Sequence, residues 1–270
     1  MLALLLVAEI LLSRIETGTP AHILEVRAGP CRNGSRPLTV RVLIDCSARD
    51  EVTATMPDHW SNTSCGLAWE NDRWIAREER LEASIAVRDV PLGNSVHGVL
   101  VSIEGGFEHV HRSHALFVEI DDGVARRVWD DGDSVGPAAS SATPSANGID
   151  FEYHLEWSPD DIDGQRPDMW RGERVTWDPS AKHVVRSVLP AFATIAGTYP
   201  SIAAARADQA TLHSSKCRAA RLLVLKTDDL AKLVPSKVAL ASIATTNAGA
   251  QDSLVKLRRC GVQGYVKRAR

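Results

Sequence analysis

A period of two in hydrophobicity runs through the first half of the chain and limits its fold more than any other feature. Leu38, Val40, Val42 and Ile44 alternate with Thr39 and Arg41. Val52, Ala54 and Met56 repeat the period, as do Leu81, Ala83, Ile85 and Val87. Val99, Val101 and Ile103 follow, then Leu116, Val118 and Ile120. Side chains of a strand alternate between faces, so each run predicts one buried and one wet face, as in antiparallel sheets. Turn formers separate the runs: Gly29-Pro30, Asn33-Gly34, Pro57-Asp58, Gly93-Asn94, Gly105-Gly106 and Asp121-Asp122-Gly123. Short strands at this spacing predict a sandwich or barrel over residues 22–130.

Beyond that domain the character changes twice. Residues 131–150 are small, polar and turn-forming, and read as a linker. Residues 151–270 read as a mixed α/β region. Its start carries Trp157, Trp170 and Trp177 in a polar setting, as a short hairpin or wrapping arm. HVVRSVLPAFATIA, SIAAARADQATLHSS and AGAQDSLVKLRRCG read as helices, and RLLVLK and KVALASIAT as short buried strands. The fold class is therefore mainly β: an antiparallel β-sandwich followed by a smaller α/β region.

Charge divides along the same line. The chain has a net charge of -3, yet residues 151–270 hold 18 basic and 12 acidic residues, and residues 1–150 hold 13 and 22. The last 60 residues hold 12 basic against 3 acidic. A basic end of this kind is a solvated face or a contact for phosphates or anionic lipid. No nucleic-acid partner is predicted.

Residues 1–21 read either as an export signal or as a first core element. Leu2 to Val7 form a short apolar run, but no basic residue precedes it and Glu9 interrupts it. It is too short for a membrane span of about 20 residues. Membrane association is expected only through such a signal. Five cysteines (Cys31, Cys46, Cys65, Cys217 and Cys260) form no CxxC pair. Disulfides in an oxidising compartment and free thiols both fit them.

Chemistry concentrates in GGFEHVHRSHALFVEIDDG. His109 and His111 would share a strand face and could grip one zinc or other transition-metal ion. Glu119 would be a third ligand if the chain folded back. The competing reading is a solvated strand entry that needs no cofactor. Phosphate cradles of the GxxxxGK[ST] or GxGxxG type and a GxSxG elbow are absent from the sequence. Asp160, Asp161 and Asp163 read as a hydrated turn. Trp157, Trp170 and Trp177 are candidates for docking a partner.

Three resemblances follow from these residues. LTVRVLIDCSARDEVTATMPDHWS, GLAWENDRW, LEASIAVRDVPLG and SHALFVEIDDGVARRV resemble extracellular immunoglobulin-like sandwich domains of prokaryotic surface and adhesion-type proteins. That resemblance implies a non-enzymatic secreted or cell-surface module binding a protein or glycan partner. His109-Val110-His111, Glu119, Gly123 and Gly132-Asp133 resemble the first motif of cupins, which implies a metal-binding protein or enzyme. The cupin carboxylate position itself is filled by Ala115 or Leu116, and no second-motif histidine follows Pro137. Gly261-Val262-Gln263-Gly264-Tyr265-Val266-Lys267 is similar to the end of receiver domains, which implies a cytoplasmic regulatory protein without a working phosphoacceptor. An extracellular or cell-surface location is expected from the first reading.

Overall fold

The computed structural model describes residues 9–17, 22–30, 38–44, 47–54, 67–70, 73–78, 81–92, 96–105, 111–121, 124–130, 141–156, 166–214, 221–230 and 232–270. The chain is mainly β and divides into two compact units. Unit 1 is residues 1–151 with 174–187, and unit 2 is residues 152–173 with 188–270.

Unit 1 opens with a sheet in the order β1 (Ile10–Thr17), β2 (His22–Ala28), β3 (Leu38–Ile44) and β4 (Ser47–Ala54). Alternation works here as the sequence predicts. Leu24, Val26 and Ala28 point into the core, while Arg27 bonds Glu25 and Arg41 bonds Glu9 on the other face. The second sheet runs β10 (Val124–Asp130), β9 (His111–Asp121), β8 (Val96–Gly105), β7 (Leu81–Pro91), β6 (Arg73–Glu78) and β5 (Leu67–Glu70). One hydrophobic core draws on both sheets: Ile10, Leu12, Leu24, Val26 and Val40 from the first, and Val99, Val101, Leu116, Val118 and Ile120 from the second. Residues 10–17, within the stretch read as signal or first core element, thus form a strand with Ile10 and Leu12 in that core. Every hydrogen-bonded neighbour within these two sheets is consecutive in sequence. This is a meander, without the crossover that places non-consecutive strands side by side in a Greek key.

The second sheet departs from the one-wet-face expectation. Ala115, Phe117 and Leu100 are as buried as their alternating neighbours Leu116, Val99 and Val101. Trp129 lies 4.8 Å from Phe117 and 5.9 Å from Phe151, ring centre to ring centre. Phe151 comes from β12 (Gly148–Leu155), so a third layer covers this face. β11 (Ser141–Ser145) and β12 stand where the linker was expected. Asn147, at φ 62°, turns the chain between them, and its carbonyl accepts from Trp177 N–H at 3.3 Å. They belong to a sheet in the order β11, β12, β13 (Met169–Asp178) and β14 (His183–Val188). The β14 stretch was expected to be helical. Its three valines are stiff at χ1 and suit the pleated strand better than the helix.

Unit 2 carries β15 (Phe192–Tyr199), α1 (Ile202–Ser214), β16 (Leu223–Lys226), β17 (Val238–Ala244), α2 (Asn247–Arg259) and β18 (Tyr265–Arg268). The sheet order is β16-β17-β15-β18, antiparallel throughout. Receiver domains have a parallel sheet, so the receiver-like reading of this end is corrected: β18 lies antiparallel beside β15. Both faces of the sheet are buried. Ala205, Val224, Leu240 and Leu257 form the core on the helix side. Trp170, Ala193, Ile195, Leu225, Leu230 and Leu233 form the core on the other. Thr246 caps α2 by accepting from Gly249 N–H at 3.1 Å. Gly261, at φ 79°, ends it, with its N–H on the Arg258 carbonyl and that of Val262 on Leu257.

Candidate functional site

The metal reading rested on His109, His111 and Glu119. His109 lies outside the described residues. His111 opens β9, where its backbone pairs with Glu104, and Glu119 sits eight positions along the same strand opposite Val96. At about 3.3 Å per residue the two are about 26 Å apart, so one ion cannot bridge them. Glu119 is instead buried and bonded by Arg126. The expectation that Glu119 completes a site with the histidines is therefore corrected: β9 stays extended and does not fold back. Among the described residues no group of three His, Cys, Asp or Glu is arranged to hold a metal ion.

The tryptophans proposed as docking residues divide similarly. Trp157 lies outside the described residues. Trp170 and Trp177 are 7% and 6% exposed, which leaves little ring for a partner. Their place is internal packing. Trp170 fills the face of the unit 2 sheet left free by the helices, and its Nε1–H donates to Glu152 at 3.1 Å. Glu152 in turn lies 3.5 Å from His154 Nε2. Residues 152 and 154 share a face of β12 by alternation, so a carboxylate orients an imidazole that is 10% exposed. The same carboxylate thus fixes the Trp170 indole as well.

A buried polar cluster among the described residues of unit 2 was not visible in the sequence. Asp168 is 1% exposed, Arg206 6% and Gln209 8%. Arg206 donates to both Asp168 oxygens, at 2.6 and 3.0 Å. It also donates to Gln209 Oε1 at 3.0 Å and to the Arg166 carbonyl at 3.1 Å. Gln209 passes the chain on to the Leu222 carbonyl at 2.6 Å. Asp168 Oδ2 accepts the Val224 N–H at 2.7 Å, and the backbones of 168 and 224 bond in the reverse direction as well. Such a bidentate pair, buried and bonded on both sides, locks the stretch before β13 to α1 and β16. Its lone pairs are spent on structure, which leaves Asp168 unsuited to general base catalysis. The signal in the sequence was slight: Arg206 and Gln209 fall on the same helix face as Ile202, Ala205 and Leu212.

Beside it, Tyr199 donates its hydroxyl to Asp208. Burial, then the Asp208 hydrogen bond and charge, push the phenol up to about 12. A phenol that holds its proton so firmly serves as a donor and not as a base. On the unit 1 surface, Asp150 grips Arg174 through two bonds of 2.6 and 2.7 Å and raises its pKa.

Cys260, directly after α2, is disulfide-bonded. The other four cysteines, Cys31, Cys46, Cys65 and Cys217, lie outside the described residues. No helix among the described residues is long and apolar enough to cross a membrane. Comparison of the chain with models of protein families, with curated proteins and with solved structures finds no match.

Proposed function

We propose that this chain is an exported, non-enzymatic binding module that engages a protein or glycan partner at the cell surface. The observation that carries the reading is the disulfide at Cys260. Such bonds persist in extracellular and periplasmic compartments, while cytosolic reductants keep thiols open. The reading is also supported by layered antiparallel sheets, a common frame for surface modules whose loops do the recognition. Here the likeness to immunoglobulin-type sandwiches lies in the layers and not in the strand order, which is a meander. Unit 2 follows the β-α-β-β-α-β order of the ferredoxin-like split βαβ arrangement. That fold hosts unrelated functions, so the case for binding rests on the compartment and on surfaces.

The test is the redox state of the cysteines in the native host. Cells are quenched in acid, free thiols are alkylated before any reduction, and the digest is read by mass spectrometry. A Cys260 peptide joined to a peptide carrying Cys31, Cys46, Cys65 or Cys217 is expected. Alkylation of all five thiols without reduction overturns the exported reading.

A further inference from the structure

We propose that β14 is an open docking edge, to which an acidic, extended segment of a protein partner adds as a further strand. This rests on the exported binding-module reading and names its partner class. β14 ends the order β11-β12-β13-β14, so no described strand pairs with its far side. Leu189 N–H donates to the Gly172 carbonyl at 3.0 Å, and the Val185 carbonyl accepts from Thr176 Oγ1 at 3.5 Å. Leu189 and Val185 thus turn their backbone groups toward β13. These groups alternate in direction along an antiparallel strand. The N–H and C=O groups of Val184, Arg186 and Val188 therefore point away from β13, at the free edge. The side chains are open as well: Val185 is 38% and Val188 66% exposed, and Arg186 and Ser187 are exposed.

Unpaired edges invite pairing, and proteins blunt them with short strands, lysine, proline or a covering segment. Other edges of this chain follow that rule. β11 contains Pro144. The Val224 carbonyl of β16 is taken by Asp168 N–H at 2.7 Å. β18 is four residues long and carries Lys267 and Arg268. β14 has six residues, HVVRSV, with three valines and no proline, lysine or acidic residue. It is the longer and more apolar edge, and its β-branched residues favour the extended backbone that a docking strand reads.

Charge selects the occupant. Arg186 belongs to a stretch from Ala181 to Ala207 without an acidic residue, and Lys182 stands just before the strand. Consider a second copy running antiparallel with all three outward residues of each strand paired. It sets Arg186 against Arg186, and like charges directly opposite destabilise a strand pair. A slip of two residues relieves this but pairs only two of the three. A strand with a carboxylate at that place meets the guanidinium instead. Directly opposed side chains share a face, so the residues two before and two after the carboxylate would lie beside Val184 and Val188. The segment that fits therefore reads apolar, acidic, apolar at every second position, and its backbone supplies the ladder bonds.

The experiment uses the full chain with its disulfide intact. The probes are short peptides with valine at every second position around a central glutamate, a central lysine, or a central glutamate with alternate amides methylated. The acidic peptide is expected to bind at least ~5-fold more tightly than the lysine peptide, and the methylated one not to bind. Arg186→Glu should reverse the preference between the first two, which misfolding cannot produce. Val188→Pro removes one outward donor and no bond to β13, and should weaken the acidic peptide at least ~5-fold. If Val188→Pro is less stable by urea denaturation, Arg186→Glu and amide exchange on the unaltered chain carry the same reading. In exchange, the amides of Val184, Arg186 and Val188 should be fast in the free chain and slow with the acidic peptide, while those of Val185, Ser187 and Leu189 are slow in both. Absence of acidic-peptide binding, an unchanged preference in Arg186→Glu, or outward amides already slow in the free chain would overturn the inference. So would a concentration-dependent dimer lost in Val188→Pro, which would give the edge to a second copy. Failure here with the Cys260 linkage found in cells removes the strand-docking edge alone; absence of the linkage removes the exported reading beneath it.

Discussion

Separating Asp168 from Arg206 should be the most damaging single change in unit 2. Both groups are almost fully buried, and the guanidinium makes two bonds to the carboxylate. Asp168→Asn keeps an oxygen for the Val224 N–H but removes the charge that offsets Arg206. Arg206→Met keeps most of the side-chain volume but leaves the carboxylate with the Val224 N–H as its main donor. Breaking a buried pair from one side costs about 3–5 kcal/mol, because the remaining charge stays out of water. With a urea slope of about 1–3 kcal/mol per molar, the unfolding midpoint should fall by about 2 M. The double variant strands no charge. Its cost should fall short of the sum of the singles by about 2 kcal/mol or more, as coupled neighbours are not additive. Urea unfolding followed by tryptophan fluorescence on the four proteins of the cycle measures this. A cost below about 1 kcal/mol for either single, or additive costs, would show that water reaches the pair and that it does not hold unit 2 together.

Three further outcomes are expected. Tyr199 should titrate at about 12 in an ultraviolet pH titration, and Asp208→Asn should bring it down. Because its folded value lies above the ordinary phenol value near 10, its contribution to stability is complete below pH ~10 and fades as pH rises through about 12; a midpoint that does not move with pH over that window would contradict it. Gly148→Ala should cost about 1–3 kcal/mol, since the added carbon would lie 2.8 Å from Thr176 Cγ2 and closer still to the Val175 carbonyl oxygen. Protein dialysed against a weak chelator should retain less than one equivalent of transition metal; a full equivalent lost in His109→Ala/His111→Ala would restore a metal role for these histidines without Glu119.

What could be read from the sequence was local. The alternation placed Leu116, Val118 and Ile120 in the core, where they lie. It did not reveal that Ala115 and Phe117 are buried too, because Phe151, part of the cover, lies in a different strand well along the chain. Composition hid the β11–β12 hairpin, whose small residues read as a linker; the signal was Asn147-Gly148, a strong short-range mark of a hairpin. It also disguised β14, where three valines argue for a strand against the helical look of the surrounding alanines. The antiparallel place of β18 beside β15 depends on pairing between residues about 70 apart, which no window along the chain contains.

The same distinction bears on function. A charged residue marks a contact only after its internal partners are known. Asp168, Arg206 and Glu119 look from the sequence like any others, yet each is buried and already bonded, Asp168 and Arg206 to each other and Glu119 to the exposed Arg126. Arg174 and Arg221, on the surface, are also taken, by Asp150 and Glu156. Once these pairs are set aside, the basic surplus of the chain's end no longer reads as a diffuse tail. It gathers on the last turn of α2 and on β18 as cations that no described carboxylate answers. A folded domain has no internal use for such charge, because like charges held together oppose compaction. The sheet also divides it: Lys256, Arg258 and Arg259 stand on the helix side, whereas Lys267, opposite Ala193, stands on the other, so charge that counts together in the sequence is held apart in the fold.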